Sequence, residues 1–114
     1  MKAACHDFVY EKNTDWDFSI GYNSGNAGDY SPVNITGFKA EFKLYLNRYS
    51  EPVLTLSTID NKITLVPASG QIQFTITKAI NNTYAAKELY YTLDITDTQL
   101  KTIRILKGSI KIEI

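Results

Sequence analysis

SPVNITGFKAEFKLYL, residues 31–46, passes from a polar turn through a Gly37–Phe38 step into a run in which every second residue is apolar. Phe38, Ala40, Phe42, Leu44 and Leu46 fall on one side of an extended chain, and Lys39, Glu41, Lys43 and Tyr45 on the other. A period of two with unlike sides marks a strand with one buried and one wet face.

The same period recurs along the chain. In DWDFSIGY (15–22), Trp16, Phe18, Ile20 and Tyr22 alternate with Asp15, Asp17, Ser19 and Gly21. VLTLST turns Leu54 and Leu56 inward, QIQFTIT turns Ile72, Phe74 and Ile76, and ELYYTLDIT turns Leu89, Tyr91, Leu93 and Ile95. The last segment, KTIRILKGSIKIEI, breaks phase. Ile103 and Ile105 are odd, whereas Leu106, Ile110, Ile112 and Ile114 are even. One extra residue near Ile105–Leu106, or a bend at Gly108, restores the register, which is what a β-bulge does.

Turn-rich segments separate the strands. NSGNAGDYSP (23–32) reads as a long Gly/Asn loop or flexible hairpin, and residues 47–52, 58–62 and 67–70 as short connections. KAINNTYAAKE (78–88) is the one place for a helical turn, too short and too rich in Asn and Thr to stand alone. Short strands at this spacing, without a long helix, predict an antiparallel β-sandwich of seven to eight strands, with a small barrel as the structural alternative.

The chain has 114 residues, 44% of them hydrophobic. That suits a single domain, residues 1–114, with a core of its own and residues 1–13 as a loosely ordered N-terminal arm. Formal net charge is zero, but it is unevenly spread. Residues 1–30 hold two lysines against five carboxylates, and residues 98–114 three lysines and Arg104 against Glu113. Opposite ends of this kind attract within one fold or between copies. They do not form the one-signed surface that nucleic acid requires. The single cysteine, Cys5, allows no internal disulfide. The start, MKAACHDF, lacks the apolar core of a secretory signal, and no run reaches the ~18 apolar residues of a membrane span. The expectation is a soluble protein made in the cytoplasm.

Groups that carry chemistry are sparse. His6, the only histidine, adjoins Cys5, but neighbours on an extended chain point to opposite sides. One His and one Cys cannot close a zinc site. Asp15 with Asp17, and Asp94 with Asp97, read as solvated carboxylates without a calcium-loop pattern. NSGNAGDY lacks the Gly-Lys-Ser/Thr ending of a phosphate loop. Asn34-Ile35-Thr36 and Asn81-Asn82-Thr83 match glycosylation sequons, which carry no meaning without a secretory signal. No catalytic residue, metal or cofactor is expected, and an enzyme is disfavoured. The tyrosines say more. Tyr45 and Tyr90 sit on wet strand faces, and Tyr30 and Tyr49 in loops. Exposed tyrosine is enriched at protein contacts and also stacks on sugars, so these four are the candidate contact residues.

The order of segments resembles the small immunoglobulin-like domains of tailed-bacteriophage and prophage virion proteins, over roughly residues 14–114. SPVNITGFKAEFKLYL resembles that family's Thr–Gly–aromatic step into an amphipathic strand. SEPVLTLSTIDNKITLVPASGQIQFTIT is similar to its strand, hairpin and Gly-led strand; KELYYTLDIT to its Tyr-rich strand; and IRILKGSIKIEI to its closing strand. The resemblance implies an immunoglobulin-like sandwich and a non-enzymatic virion component, like the N-terminal domains of baseplate upper proteins. Such a protein binds other virion proteins at the tail, baseplate or neck in several symmetric copies. Thr36-Gly37-Phe38 and Gly108 become structural positions. The chain stops at Ile114, without the fibre or receptor-binding region of longer members, which implies a stand-alone adaptor or decoration. A capsid decoration protein and a module for host-surface glycans are the rival readings.

Overall fold

The computed structural model describes residues 4–26, 29–47, 49–84 and 87–113, with 23–26 and 29–32 described through their backbone alone. Eleven strands follow in chain order: β1 (Ala4–Cys5), β2 (Phe8–Glu11), β3 (Trp16–Gly21), β4 (Asn23–Asn26), β5 (Asp29–Pro32), β6 (Lys39–Tyr45), β7 (Pro52–Ser57), β8 (Ile63–Val66), β9 (Gln71–Ile76), β10 (Glu88–Thr96) and β11 (Thr102–Glu113). A single helical turn, α1 (Lys78–Asn81), lies where the sequence allows one, and a 3-10 turn covers Pro67–Ser69.

Two sheets pack face to face. The larger runs β1-β11-β10-β6-β7, with β2 also on β11; the smaller runs β3-β9-β8. In immunoglobulin lettering, β3, β8 and β9 stand for B, D and E, and β6, β7, β10 and β11 for C, C′, F and G. The fold is therefore an all-β, immunoglobulin-like sandwich.

The large sheet is not wholly antiparallel. β1 and β2 both run parallel to β11, with Ala4 beside Leu106 and Phe8 beside Ile110. Side-chain alternation encodes which face is buried but not strand direction, so this edge is invisible to periodicity. Residues 4–11, read as part of a loose arm, are thus paired along the last strand. Phe8 and Tyr10 pack on the core from there. The acidic start of the chain lies beside its basic end within one molecule.

The 23–32 segment, read first as a loop, holds the β4–β5 hairpin as a separate two-stranded sheet, with Asn26 opposite Asp29. The phase break in the last strand is a bulge. Leu93 faces Leu106 but Asp94 faces Arg104, leaving Ile105 as the extra residue. Ile105 is buried.

Trp16, Phe18, Phe42, Phe74 and Tyr91 form the centre of the core. Phe18 stacks on Phe74 at 4.6 Å, Phe42 lies 4.6 Å from Phe74, and Phe8 meets Phe18 edge-on at 5.1 Å. This aromatic layer occupies the space between the sheets. Ile35 is also fully buried, from a segment that reads as a turn. Its N–H donates to the Pro67 carbonyl, which draws it beneath the 3-10 turn. Leu46, expected inward, is 41% exposed because β6 ends one residue earlier.

Candidate functional site

The outer face of the large sheet is built by cross-strand rows. Tyr45 of β6 lies opposite Tyr90 of β10, which lies opposite Ser109 of β11. The next rows are Lys43, Thr92 and Lys107, then Glu41, Asp94 and Arg104. Alternation along each strand turns these side chains away from the core.

The surface here is concave. A hollow of about 730 Å³ is bordered by Tyr45, Glu88, Tyr90, Arg104 and Lys107. Cys5 and Asp7 close it on the β1 side. The wall exists because the N-terminal strand breaks between β1 and β2. His6 donates its N–H to the Lys107 carbonyl, and Asp7 Oδ1 accepts the Ser109 N–H. The Tyr91 hydroxyl reaches from the core to the His6 carbonyl at 2.6 Å. Burial pushes the Tyr91 phenol well above its ordinary range, with the Asp7 charge adding to it.

Two ion pairs lie on this face, Arg104 with Asp94 and Lys43 with Glu41. Arg104 Nε donates to Asp94 Oδ1 at 2.9 Å and its second nitrogen to Oδ2 at 3.3 Å. The hydrogen bond to Asp94 raises the guanidinium pKa further. Lys43 Nζ stands 3.1 Å from Glu41, whose hydrogen bond raises the ammonium pKa. The Tyr90 hydroxyl donates to Glu88 Oε1 at 3.1 Å. Thr92 Oγ1 is buried among these groups and has no hydrogen-bond partner in the protein.

Of the four candidate tyrosines, the structure brings together two, Tyr45 and Tyr90. Tyr49 is 98% exposed in the β6–β7 connection and does not line the hollow. The Tyr30 side chain lies outside the described residues. Cys5, weighed in the sequence only beside His6, completes the site with Arg104, Lys107 and Asp7, none of which stands out in the sequence as a contact residue. Matching Arg104 to Asp94 requires knowing where the bulge falls.

The remaining candidates have structural partners. His6 packs its ring edge-on against Phe8 at 4.6 Å. Asp15 accepts the Lys78 N–H at the start of α1, and Asp17 accepts the Thr75 hydroxyl. Asp97 closes the β10–β11 turn by accepting the Gln99 and Lys101 N–H groups. Asn34 accepts from the Thr36 N–H and hydroxyl, and Asn81 is buried, donating to the Thr14 carbonyl. Among the described residues, no group of three or more His, Cys, Asp or Glu gathers as metal ligands. No helix among them is long and apolar enough to cross a membrane.

This face offers two aromatic side chains on a paired sheet, bordered by both signs of charge. In comparisons with models of protein families and with curated proteins, the sequence matches none.

Proposed function

We propose that this chain is a non-enzymatic structural protein that docks on neighbouring proteins through the outer face of its large sheet, as an adaptor in the tail, baseplate or neck of a tailed phage. The observation that carries the docking reading is the opposed Tyr45–Tyr90 pair in a hollow of about 730 Å³. Aromatic side chains held rigidly in a concave surface are the usual anchors of protein interfaces. The unlike charges around the pair orient an incoming partner. The virion setting is supported by the segment order that resembles phage immunoglobulin-like domains. It implies synthesis in the bacterial cytoplasm and several copies per particle.

The test is immunogold electron microscopy of phage particles with antibody to this chain, followed by crosslinking to name the neighbour. Label at the tail, baseplate or neck is expected; label over the head moves the assignment to capsid decoration. Absence from purified particles overturns the virion reading. Tyr45→Ala with Tyr90→Ala should weaken partner binding at least about 30-fold, as loss of a buried anchor does.

The same hollow favours one other ligand. Two tyrosines beside Glu88 and the Asp94–Arg104 pair offer stacking and hydrogen bonding to a sugar. Saturable glycan binding lost in the Tyr90→Ala variant would favour that reading, and silence across a broad glycan array would remove it.

A further inference from the structure

A second surface lies at the end of the sandwich where the chain turns from β10 to β11. Between the sheets there, Tyr22, Val33, Phe38, Ile95 and Ile103 line an apolar hollow of about 210 Å³ that also reaches Asp97 and Lys101. Pockets for drug-sized molecules run from roughly 300 to 1,000 Å³. This one is below that range.

The adjoining turn displays an apolar side chain. Leu100 is 78% exposed and has φ of 65°, in the left-handed region. A hairpin turn of this kind takes Gly or Asn at that position, because a side chain crowds the backbone there. Leucine is unfavourable twice over, for its backbone and for its apolar surface in water. The turn holds it firmly: the Leu100 N–H donates to the Asp97 carbonyl, and Asp97 Oδ1 accepts the N–H groups of Gln99 and Lys101. Leu100 does not line its own hollow.

We propose that this end is a self-association surface on which two copies meet about a two-fold axis, each inserting Leu100 into the hollow of the other. A two-fold contact requires one patch to carry both halves of every interaction. This patch carries a knob, a hollow and two unlike charges. Asp97 and Lys101 both border the hollow that would receive Leu100, so each copy offers the other both signs of charge. Strain at an exposed residue is then explained by what the residue does in the assembly. This surface is separate from the tyrosine face, and its failure would leave the docking reading untouched.

Sedimentation velocity of the full chain from micromolar to millimolar concentration tests it, with Leu100→Gly and Lys101→Glu beside the parent. The parent should form a dimer that strengthens with concentration. Leu100→Gly should weaken it at least about 30-fold, and Lys101→Glu should weaken it by placing like charges together. At a dilution where the parent is monomeric, Leu100→Gly should raise Tm, because glycine accepts the left-handed backbone. A parent that stays monomeric throughout overturns the proposal. So does a dimer indifferent to Leu100→Gly, or a fall in Tm in that variant, which would mean that Leu100 packs within its own chain.

Discussion

Gly108 shows how one residue can hold two ends of a chain together. A Cβ there would overlap the carbonyl oxygen of His6, a backbone atom that cannot swing aside. The glycine therefore admits the N-terminal strand, and the Tyr91 hydroxyl and Asp7 carboxylate fasten it on either side. Gly108→Ala is expected to cost about 2 kcal/mol or more through overpacking. Hydrogen exchange should show protection lost first over residues 4–11, and unchanged protection there would contradict the role. Thr92 presents the opposite case. Its buried hydroxyl has no partner, so Thr92→Val should stabilise the fold by about 1 kcal/mol. A higher urea midpoint at constant m-value is the expected readout.

At the scale of elements, β2 is the instructive strand. Phe8 and Tyr10 face the core while Val9 is 57% exposed. Phe8 touches Phe18, Tyr10 and Tyr91, so it joins the edge strand to both sheets. Phe8→Ala should cost about 2 kcal/mol, less than the roughly 3–5 kcal/mol of a fully buried aromatic because Phe8 is only half-buried. Val9→Ala should fall within about 0.5 kcal/mol of the parent. Equal effects, measured by denaturant unfolding, would mean that the strand is a passive covering. On β11 the bulge at Ile105 performs a different task. It lets the strand keep Ile103 and Ile110 on the core side while turning Arg104 to meet Asp94 on the outside. The outer hollow and the inner core are thus both products of one extra residue.

For the whole molecule, the tyrosines predict an alkaline limit. Tyr10, Tyr84 and Tyr91 all have phenol pKa values raised by burial. Unfolding would return them to their ordinary value of 10.0. The unfolded chain therefore gives up these protons at lower pH than the folded one, and stability is lost as pH rises above that value. It is fully present below it. Thermal unfolding should show a flat Tm from neutrality to roughly pH 9 and a steep fall above pH 10. Tyr91→Phe should make that fall shallower, and an unaltered profile would show that Tyr91 is not a principal source.

Sequence alone marked β3, β6, β7, β9 and β10 with their buried faces, because alternation of side chains is a local property of an extended chain. It left the phase break of the last strand to an extra residue near Ile105–Leu106 or a bend at Gly108, and the register with β10 decided for Ile105. Sequence also placed Tyr45 and Tyr90 on wet faces. It could not show that these two are neighbours, since that depends on the register between β6 and β10, strands far apart along the chain. The parallel pairing of residues 4–11 with β11 was equally hidden, as was the use of Ile35 in the core. Only tertiary structure decided these, and with them the walls of the hollow. Contacts between distant segments are set by how the sheets stack and how strands align, and no short stretch of sequence contains that information.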